Sequence, residues 1–524
     1  MFDQSKMPRP SSFMRHASFK SSTTRWVHLL YIASITFACQ LSALEFDVET
    51  IPVKPKHRVD ILSFSNRASG DAKLLIIETP VISQLEKQMQ GLSNEPVRHI
   101  KVFQRPGSQW NLVLTQALED SMDLVDTIST SEGIQLVGLQ GSELLYFDAN
   151  TARFAPLLKT SPMFAGRSWG ESPVMEMFTD INDDGLDDFL MPTFDGWAIA
   201  MQTSEGFAAL QTIGPPPTMS YRDTARFVAY RAEEAFLLDE NNDGLNDITF
   251  WRDGYFEVHR QSPVGEFSKI PVPLDVNLKD MLSGYTQLSI GDEVDNAGGT
   301  NRMLDEIADL NNDGISDLVV KRIKADGIFG WESEYEVYLG EVNTLNRLAF
   351  TQSPSSVIQA DGFQFDNERQ DLSGDGNQEF VVTSVDISLG TVLKALITRA
   401  VSLDISIYTI KAGKFSSAPS IRKTISARFD FSSGDLFVPA VLGADITGDG
   451  RKDLLVQKGE GTLLVYPGQA GETMFAKKAI KLSLDLPESR AGIQVKDLDN
   501  DGRDELILDP GDEHNVISIV SFRD

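Results

Sequence analysis

Nine residues, Asp309-Leu310-Asn311-Asn312-Asp313-Gly314-Ile315-Ser316-Asp317, constrain this chain more than any other feature. Carboxylate or amide oxygens stand at positions 1, 3, 5 and 9, with glycine at position 6. A tight loop of this kind can wrap its oxygens around one hard cation. Calcium takes six to eight oxygen ligands at about 2.3–2.6 Å and tolerates irregular geometry. Glycine at position 6 permits a sharp turn that a side chain would block. The ligands read from this loop are Asp309, Asn311, Asp313 and Asp317, plus the backbone carbonyl of Ile315.

The pattern occurs six times. The first loop offers Asp180, Asn182, Asp184, the carbonyl of Leu186, and Asp188. The second offers Asp239, Asn241, Asp243, the carbonyl of Leu245, and Asp247; the loop above is the third. The fourth offers Asp371, Ser373, Asp375, the carbonyl of Asn377, and Glu379. The fifth offers Asp445, Thr447, Asp449, the carbonyl of Arg451, and Asp453. The sixth offers Asp497, Asp499, Asp501, the carbonyl of Arg503, and Glu505. First positions are separated by 59, 70, 62, 74 and 52 residues. A long internal period of this kind signals a solenoid, propeller or array. Up to six calcium ions are expected.

Around each loop the sequence reads as hairpins in series. An apolar strand leads into the loop, as in Val441 to Ala444, and another follows, as in Leu318 to Val320. A turn often carrying glycine leads to a third strand, such as Leu463 to Tyr466. No regular crossover helices intervene, so antiparallel sheets are expected. Leading strands fall near residues 60, 122, 174, 233, 303, 365, 438 and 491. This gives eight units, or seven if the first is a cap. The expected fold is all-β, a single closed β-propeller of seven or eight antiparallel blades, six of them with calcium loops. Residues 45–53 can supply the outer strand that the last unit lacks; closure removes exposed sheet edges.

Residues 44–173 read as degenerate units and 174–524 as six loop-bearing ones. The stretch Asp126 to Gly133 resembles a decayed loop that binds nothing. Ser83 to Gly91 reads as a short helix and 290–303 as an extended surface loop. Residues 388–402 fit an inserted helix or a long central strand equally well.

The repeat resembles the FG-GAP/VCBS repeats of integrin α-chain propellers and of many bacterial exported proteins. Val441-Leu442-Gly443-Ala444-Asp445 is close to that family's leading strand and loop. The resemblance covers about 174–524 strongly and 59–173 weakly. It implies a propeller whose loops bind calcium between two strands of a blade. Neighbouring motifs fit worse. An EF-hand needs glutamate at position 12, where this chain has Met191, Phe250, Val320, Val382, Val456 or Leu508. Zinc is disfavoured by unclustered histidines and a single cysteine.

The net charge of −29 over 524 residues opposes nucleic acid and anionic membranes and attracts divalent cations. Three acidic residues in each loop account for at least 18 of the 76 in the chain. Lys6, Arg9, Arg15, Lys20 and Arg25 precede an apolar run from Trp26 to Ala38, followed by small residues. That is the order of an export signal, and residues 1–43 are expected to be removed. The apolar run is short for a spanning helix, so no transmembrane segment is expected after cleavage. The mature chain is expected in the periplasm, on the cell surface or outside the cell. Cys39 is weighed as a lipidation site, but Thr36-Phe37-Ala38 is a poor context for it. A mature chain without cysteine has no disulfide cross-links, and calcium can supply them instead.

No catalytic set is readable. Gly166-Arg167-Ser168-Trp169-Gly170 matches the G-x-S-x-G elbow, but that motif needs a following helix and a placed histidine, and Pro173 follows. His259 sits in a strand with no visible partner. Trp169, Trp197, Trp251 and Trp331 are spread across units, as blade core would be. Two function classes stand. The favoured one is a non-enzymatic binding, adhesion or envelope scaffold for an unknown protein or carbohydrate ligand. The alternative is a calcium-dependent polysaccharide lyase, because some lyases resemble this as calcium-bearing propellers.

Overall fold

The computed structural model describes residues 44–65, 72–81, 97–105, 109–118, 122, 124–131, 133–148, 153–163, 176–222, 227–252, 254–276, 278, 281–282, 300–326, 330–361, 363–385, 391, 398, 400–429, 436–437, 439–459, 461–471, 473–488, 490–511 and 514–523. These residues form an eight-bladed β-propeller. Each blade is a sheet whose first four main strands lie side by side in chain order, apart from the last.

Blade 1 comprises His57–Ser65, Ala72–Pro80, Arg98–Gln104 and Asn111–Leu118, and blade 2 Leu124–Thr130, Gly133–Gln140, Glu143–Asp148 and Arg153–Lys159. Blade 3 comprises Phe178–Thr179, Asp188–Thr193, Gly196–Ala200 and Gln211–Ile213, and blade 4 Ala235–Leu238, Asp247–Arg252, Tyr255–His259 and Val272–Asp275. Blade 5 has Thr300–Ala308, Asp317–Asp326, Gly330–Tyr338 and Ser356–Asp361, and blade 6 Phe363–Gln370, Glu379–Val385, Ala400–Tyr408 and Ile421–Phe429. Blade 7 has Val441–Ala444, Asp453–Gln457, Leu463–Tyr466 and Ile480–Leu482. Blade 8 has Ile493–Lys496, Glu505–Leu508 and Val516–Arg523, and the N-terminal strand Glu45–Pro52 lies beside Val516–Arg523 as its fourth. The main strands pair antiparallel; Met281–Leu282 adds a short parallel edge to blade 5.

The second strand of each blade explains the unbroken apolar runs. Leu74 and Ile76 pack in one cluster with the last blade, whereas Leu75 and Ile77 pack toward blade 2. Leu318 and Val320 face blade 4, and Val319 between them faces blade 6. Successive side chains of a strand point to opposite faces, so a strand buried on both faces needs apolar residues throughout. The core is therefore a series of seams between neighbouring blades.

Phenylalanine fastens several seams. Short hairpins follow the third strands of blades 3, 5 and 6, and single bridges mark the same place in blades 4 and 7. They carry Phe207, Phe267, Phe350, Phe415 and Phe475 into the clusters shared with the preceding blade.

Blades 1 and 8 meet through Ile51, Ile507, Ile517 and Ile519, which pack with Leu74, Ile76 and Phe103. Val53 N–H donates to the Asn515 carbonyl at 2.9 Å, and Gln494 Nε2 to the Ile61 carbonyl at 3.4 Å.

The eight-unit reading holds, with the first unit a full blade and not a cap. Two expectations change. Asp126 lies within the strand Leu124–Thr130 rather than opening a decayed loop, and the chain turns to Gly133–Gln140 directly. Residues 300–303 begin the strand Thr300–Ala308 rather than extending a surface loop. Within 388–402, Thr391 and Thr398 are helical and Ala400 begins the strand Ala400–Tyr408, so the described residues favour the inserted helix over a long central strand. The export signal, Cys39, the Ser83 to Gly91 helix, the Gly166 to Gly170 elbow and residues 290–299 lie outside the described residues. Among the described residues no helix is long and apolar enough to cross a membrane.

Candidate metal centre

All six loops occupy the same place in their blades. Each leading strand ends one residue before position 1, and each position-9 residue, from Asp188 to Glu505, is the first of the following strand. The loop backbone wraps its own carboxylates identically. One oxygen of the position-1 aspartate accepts the position-5 N–H at 3.0–3.2 Å. Its other oxygen accepts the glycine N–H at position 6 at 2.7–3.0 Å. The position-5 aspartate accepts the position-7 N–H at 2.9–3.1 Å. The position-9 carboxylate reaches back to the position-2 N–H at 2.8–3.2 Å. The carboxylates of positions 1, 5 and 9 are thus each tied to their own loop's backbone in the same way in all six loops, while three carboxylates converge within 4.8 Å, among the described residues, in the sixth loop alone.

The wrap requires left-handed backbone at two positions. Glycine at position 6 has φ of 81–87° in all six loops. Position 4 is left-handed too: Asp183, Asn242, Asn312, Gly374, Gly448 and Asn500 have φ of 52–72°. Aspartate, asparagine and glycine are the residues that tolerate this region best. Sequence reasoning passed over position 4. Its signal was there, in six residues drawn from those three types.

The electrostatics fit a cation. The position-9 carboxylates are buried, with Asp188, Asp247, Asp317 and Asp453 fully so. Burial, with the carboxylates at positions 1 and 5 adding repulsion, pushes Asp188, Asp247 and Asp317 up to about 7. The same causes push Glu379 up to about 7 and Asp453 to about 6. Glu505 is pushed up to about 8 by burial and by Asp499 and Asp501. At position 3, Asn241 Oδ1 and Asp499 Oδ1 are acceptor oxygens buried without a hydrogen-bond partner. In the sixth loop, carboxylate oxygens of Asp497, Asp499 and Asp501 all lie within 4.8 Å of one another. A buried acceptor without a donor, beside converging carboxylates, is what a hard oxygen-seeking cation satisfies.

Neighbouring groups distinguish individual loops. Arg451 turns its guanidinium onto Asp449 at 2.6 Å, and Arg105 of blade 1 approaches Asp499 Oδ2 at 3.5 Å while binding Glu49 at 2.8 Å. The loops are also joined to one another. Position 8 of one loop bonds to position 1 or 2 of the loop before. Asn246 Nδ2 donates to the Ile181 carbonyl at 2.9 Å, Gln378 N–H to Leu310 at 2.9 Å, and Lys452 N–H to Leu372 at 3.2 Å. Asp504 N–H donates to the Asp445 carbonyl at 2.8 Å. Asp187 does the same to Ser129 of blade 2, at 3.1 Å. Asp126, in that blade, has both oxygens on backbone N–H groups, of Thr127 and Met177.

His259 is 3% exposed, with Nδ1 2.7 Å from the Ser268 carbonyl and its ring edge-on to Phe250. Burial holds its pKa below the ordinary value. It is a packed core residue. Trp251 is buried, and Trp197 packs against the seam of blades 3 and 4.

Residues 445–508, which contain the fifth and sixth loops, match the FG-GAP-like repeat family. No curated protein matches the chain. Among solved structures, a lectin of Agrocybe aegerita that recognises non-reducing terminal N-acetylglucosamine is 17% identical, covers 91% of this chain and 99% of its own, and has a TM-score of 0.40. The biofilm matrix protein Bap1 of V. cholerae is 12% identical over 91% of each chain, with a TM-score of 0.34. Sqt1 of Chaetomium thermophilum is 9% identical, covers 91% and 99%, and has a TM-score of 0.41. Likenesses this loose say nothing about what this chain binds.

Proposed function

We infer that this chain is an exported, closed, calcium-braced β-propeller that works by binding a protein or carbohydrate ligand rather than by catalysis. The observation that carries the metal part is the wrap repeated in six loops, with Asn241 Oδ1 and Asp499 Oδ1 left buried and unpartnered. Side chains at positions 1, 3, 5 and 9 would hold each ion, with the position-7 carbonyl as a further donor. Calcium would supply fixed positive charge there, and no redox or proton chemistry. The match of residues 445–508 to FG-GAP-like repeats supports the same reading, since such repeats characteristically bind calcium. Closure is supported by the N-terminal strand beside Val516–Arg523. Export is supported by the basic and then apolar N-terminus.

The binding role follows from a rigid frame that carries its charge as structural carboxylates. It is tested by screening the purified protein against glycans and envelope proteins, with calcium and with chelator. Saturable binding to one class supports it. Release of unsaturated products from acidic polysaccharides would instead establish the lyase reading.

A further inference from the structure

The loop-to-loop bond is missing at one step. Between the second and third loops, Ser316 at position 8 makes no described bond to Glu240 at position 2. The Glu240 carbonyl instead accepts the N–H of Leu348 at 2.7 Å. Leu348 belongs to the hairpin Gly340–Val342 with Leu348–Phe350 in blade 5. That hairpin has a five-residue tip, where its counterpart in blade 3, Gln202–Thr203 with Gly206–Phe207, has two. The tip reaches over the second loop. Asn346 Nδ2 donates to the Asn241 carbonyl at 3.1 Å, and Asn242 Nδ2 donates to Asn346 Oδ1 at 3.2 Å.

The hairpin is held by a buried ion triad. Position 2 is isoleucine or leucine in five loops but glutamate in this one. Glu240 is fully buried. One oxygen takes Arg347 of the hairpin, and the other takes Arg260 of blade 4 at 2.8 Å. A buried ion triad contributes fixed geometry more dependably than it contributes stability. Here it fixes a wall.

Behind that wall lies a cavity of about 280 Å³ between the two loops. Its lining mixes two kinds of group. Leu237, Ile315, Val342 and Leu348 contribute apolar surface. Asn242, Asn246 and Ser316, with Asp239 and Asp309, contribute amide, hydroxyl and carboxylate groups. Asp239 already spends acceptor capacity on its own loop backbone, and so does Asp309. The volume lies just below the usual range for sites that take drug-sized molecules, so the ligand is smaller. We propose that this cavity, walled by the Gly340–Phe350 hairpin, is a binding site for a single neutral sugar residue. This deepens the binding reading above and rests on it. A sugar ring carries both apolar C–H groups and hydroxyls, and the lining offers partners for both. The chain's net charge of −29 disfavours an anionic ligand.

The test uses saturation-transfer NMR on the full protein in calcium. The probes are methyl glycosides of neutral hexoses, N-acetylhexosamines and a deoxyhexose, with methyl glucuronide and glucosamine as charged controls. At least one neutral glycoside should give signal, and methyl glucuronide none. Val342→Trp fills the cavity from its exposed rim, and Ser316→Ala removes a lining hydroxyl that is neither a candidate metal ligand nor, among the described bonds, a partner of the hairpin. Each should weaken binding at least tenfold, with bound metal and melting temperature unchanged. Undiminished binding to both variants overturns the site but leaves the binding reading intact. No signal from any neutral glycoside, or a preference for cationic glucosamine, likewise overturns the site. A protein partner found in the separate screen would then show that the binding reading outlives this site.

Discussion

Asp504 and Asp445, on neighbouring blades, hold each other twice. The Asp504 N–H donates to the Asp445 carbonyl at 2.8 Å, and Asp504 Oδ2 accepts the Asp445 N–H at 2.7 Å. The same carboxylate takes Lys452 Nζ at 2.7 Å. Asp445 is position 1 of the fifth loop, so the sixth loop helps to orient a candidate ligand of the fifth. Removing the side chain leaves a half-buried N–H and an ammonium without their acceptor. Asp504→Ala should cost about 1–3 kcal/mol and should speed hydrogen exchange at the Asp445 amide. Asp504→Asn keeps an acceptor and should cost less. Unchanged exchange in Asp504→Ala would show that the link is not made in solution.

Glu240 gives a sharper prediction. It is fully buried between two arginines whose side chains are each about one-third exposed. Glu240→Ala leaves both cations facing a buried void, and breaking a buried pair in this way typically costs about 3–5 kcal/mol. Glu240→Leu restores the residue type of the other loops and fills the space, so it should recover part of the loss. Thermal melting of both variants measures it. If alanine were as stable as wild type, the triad would be doing nothing for the hairpin.

How much of this was legible beforehand depends on what each residue does. The six loops were legible because their chemistry fixes identity at positions 1, 5, 6 and 9. The leading strand Val441–Ala444 and the third strand Leu463–Tyr466 were legible to the residue, because turn residues bound them tightly. Blade 1 was ambiguous because it carries no loop, although Leu74 to Ile77 is as apolar as any later second strand. Position 4 escaped notice because its constraint is on φ rather than on chemistry, and three residue types satisfy it. The seam phenylalanines were hidden by variable hairpins. Phe207 lies 19 residues after its position 9, and Phe415 lies 36. Asp126 misled because it repeats the loop's composition; its oxygens cap backbone N–H groups inside a strand instead. Glu240 broke the position-2 pattern in plain view, but its partners Arg260 and Arg347 lie 20 and 107 residues away.

Metal removal should loosen the propeller one loop at a time. A cation that binds only the folded state stabilises it by about 2.7 kcal/mol per site at a hundredfold excess over Kd. Chelation should therefore lower the melting temperature substantially, and calcium should restore it better than magnesium, which demands near-octahedral geometry. Asp313→Ala should lose one bound ion by elemental analysis. Its effect should be felt mostly in blade 5 and its neighbours, since repeat folds carry stability through adjacent contacts. An identical melting curve in excess chelator, from protein shown beforehand to contain no calcium, would end the metal reading.

The last prediction concerns pH. Without a cation, the folded chain holds Asp188, Asp247, Asp317 and Glu379 at about 7, Asp453 at about 6 and Glu505 at about 8. Their ordinary values are 3.8 for aspartate and 4.5 for glutamate. Folded values above unfolded ones mean that the folded chain binds protons first as pH falls. The stability linked to these groups is fully present below their ordinary values and is lost as pH rises through about 6 to 8. Chelated protein should therefore melt higher at pH 5.5 than at pH 8. Calcium reverses the order, because the ion favours the ionised carboxylates and protons compete with it. The rise in melting temperature on adding calcium should be largest near pH 8 and should shrink steadily toward pH 5.5. Scanning calorimetry in calcium and in chelator across that range measures both curves. A calcium effect independent of pH would mean that these six buried carboxylates do not meet the ion.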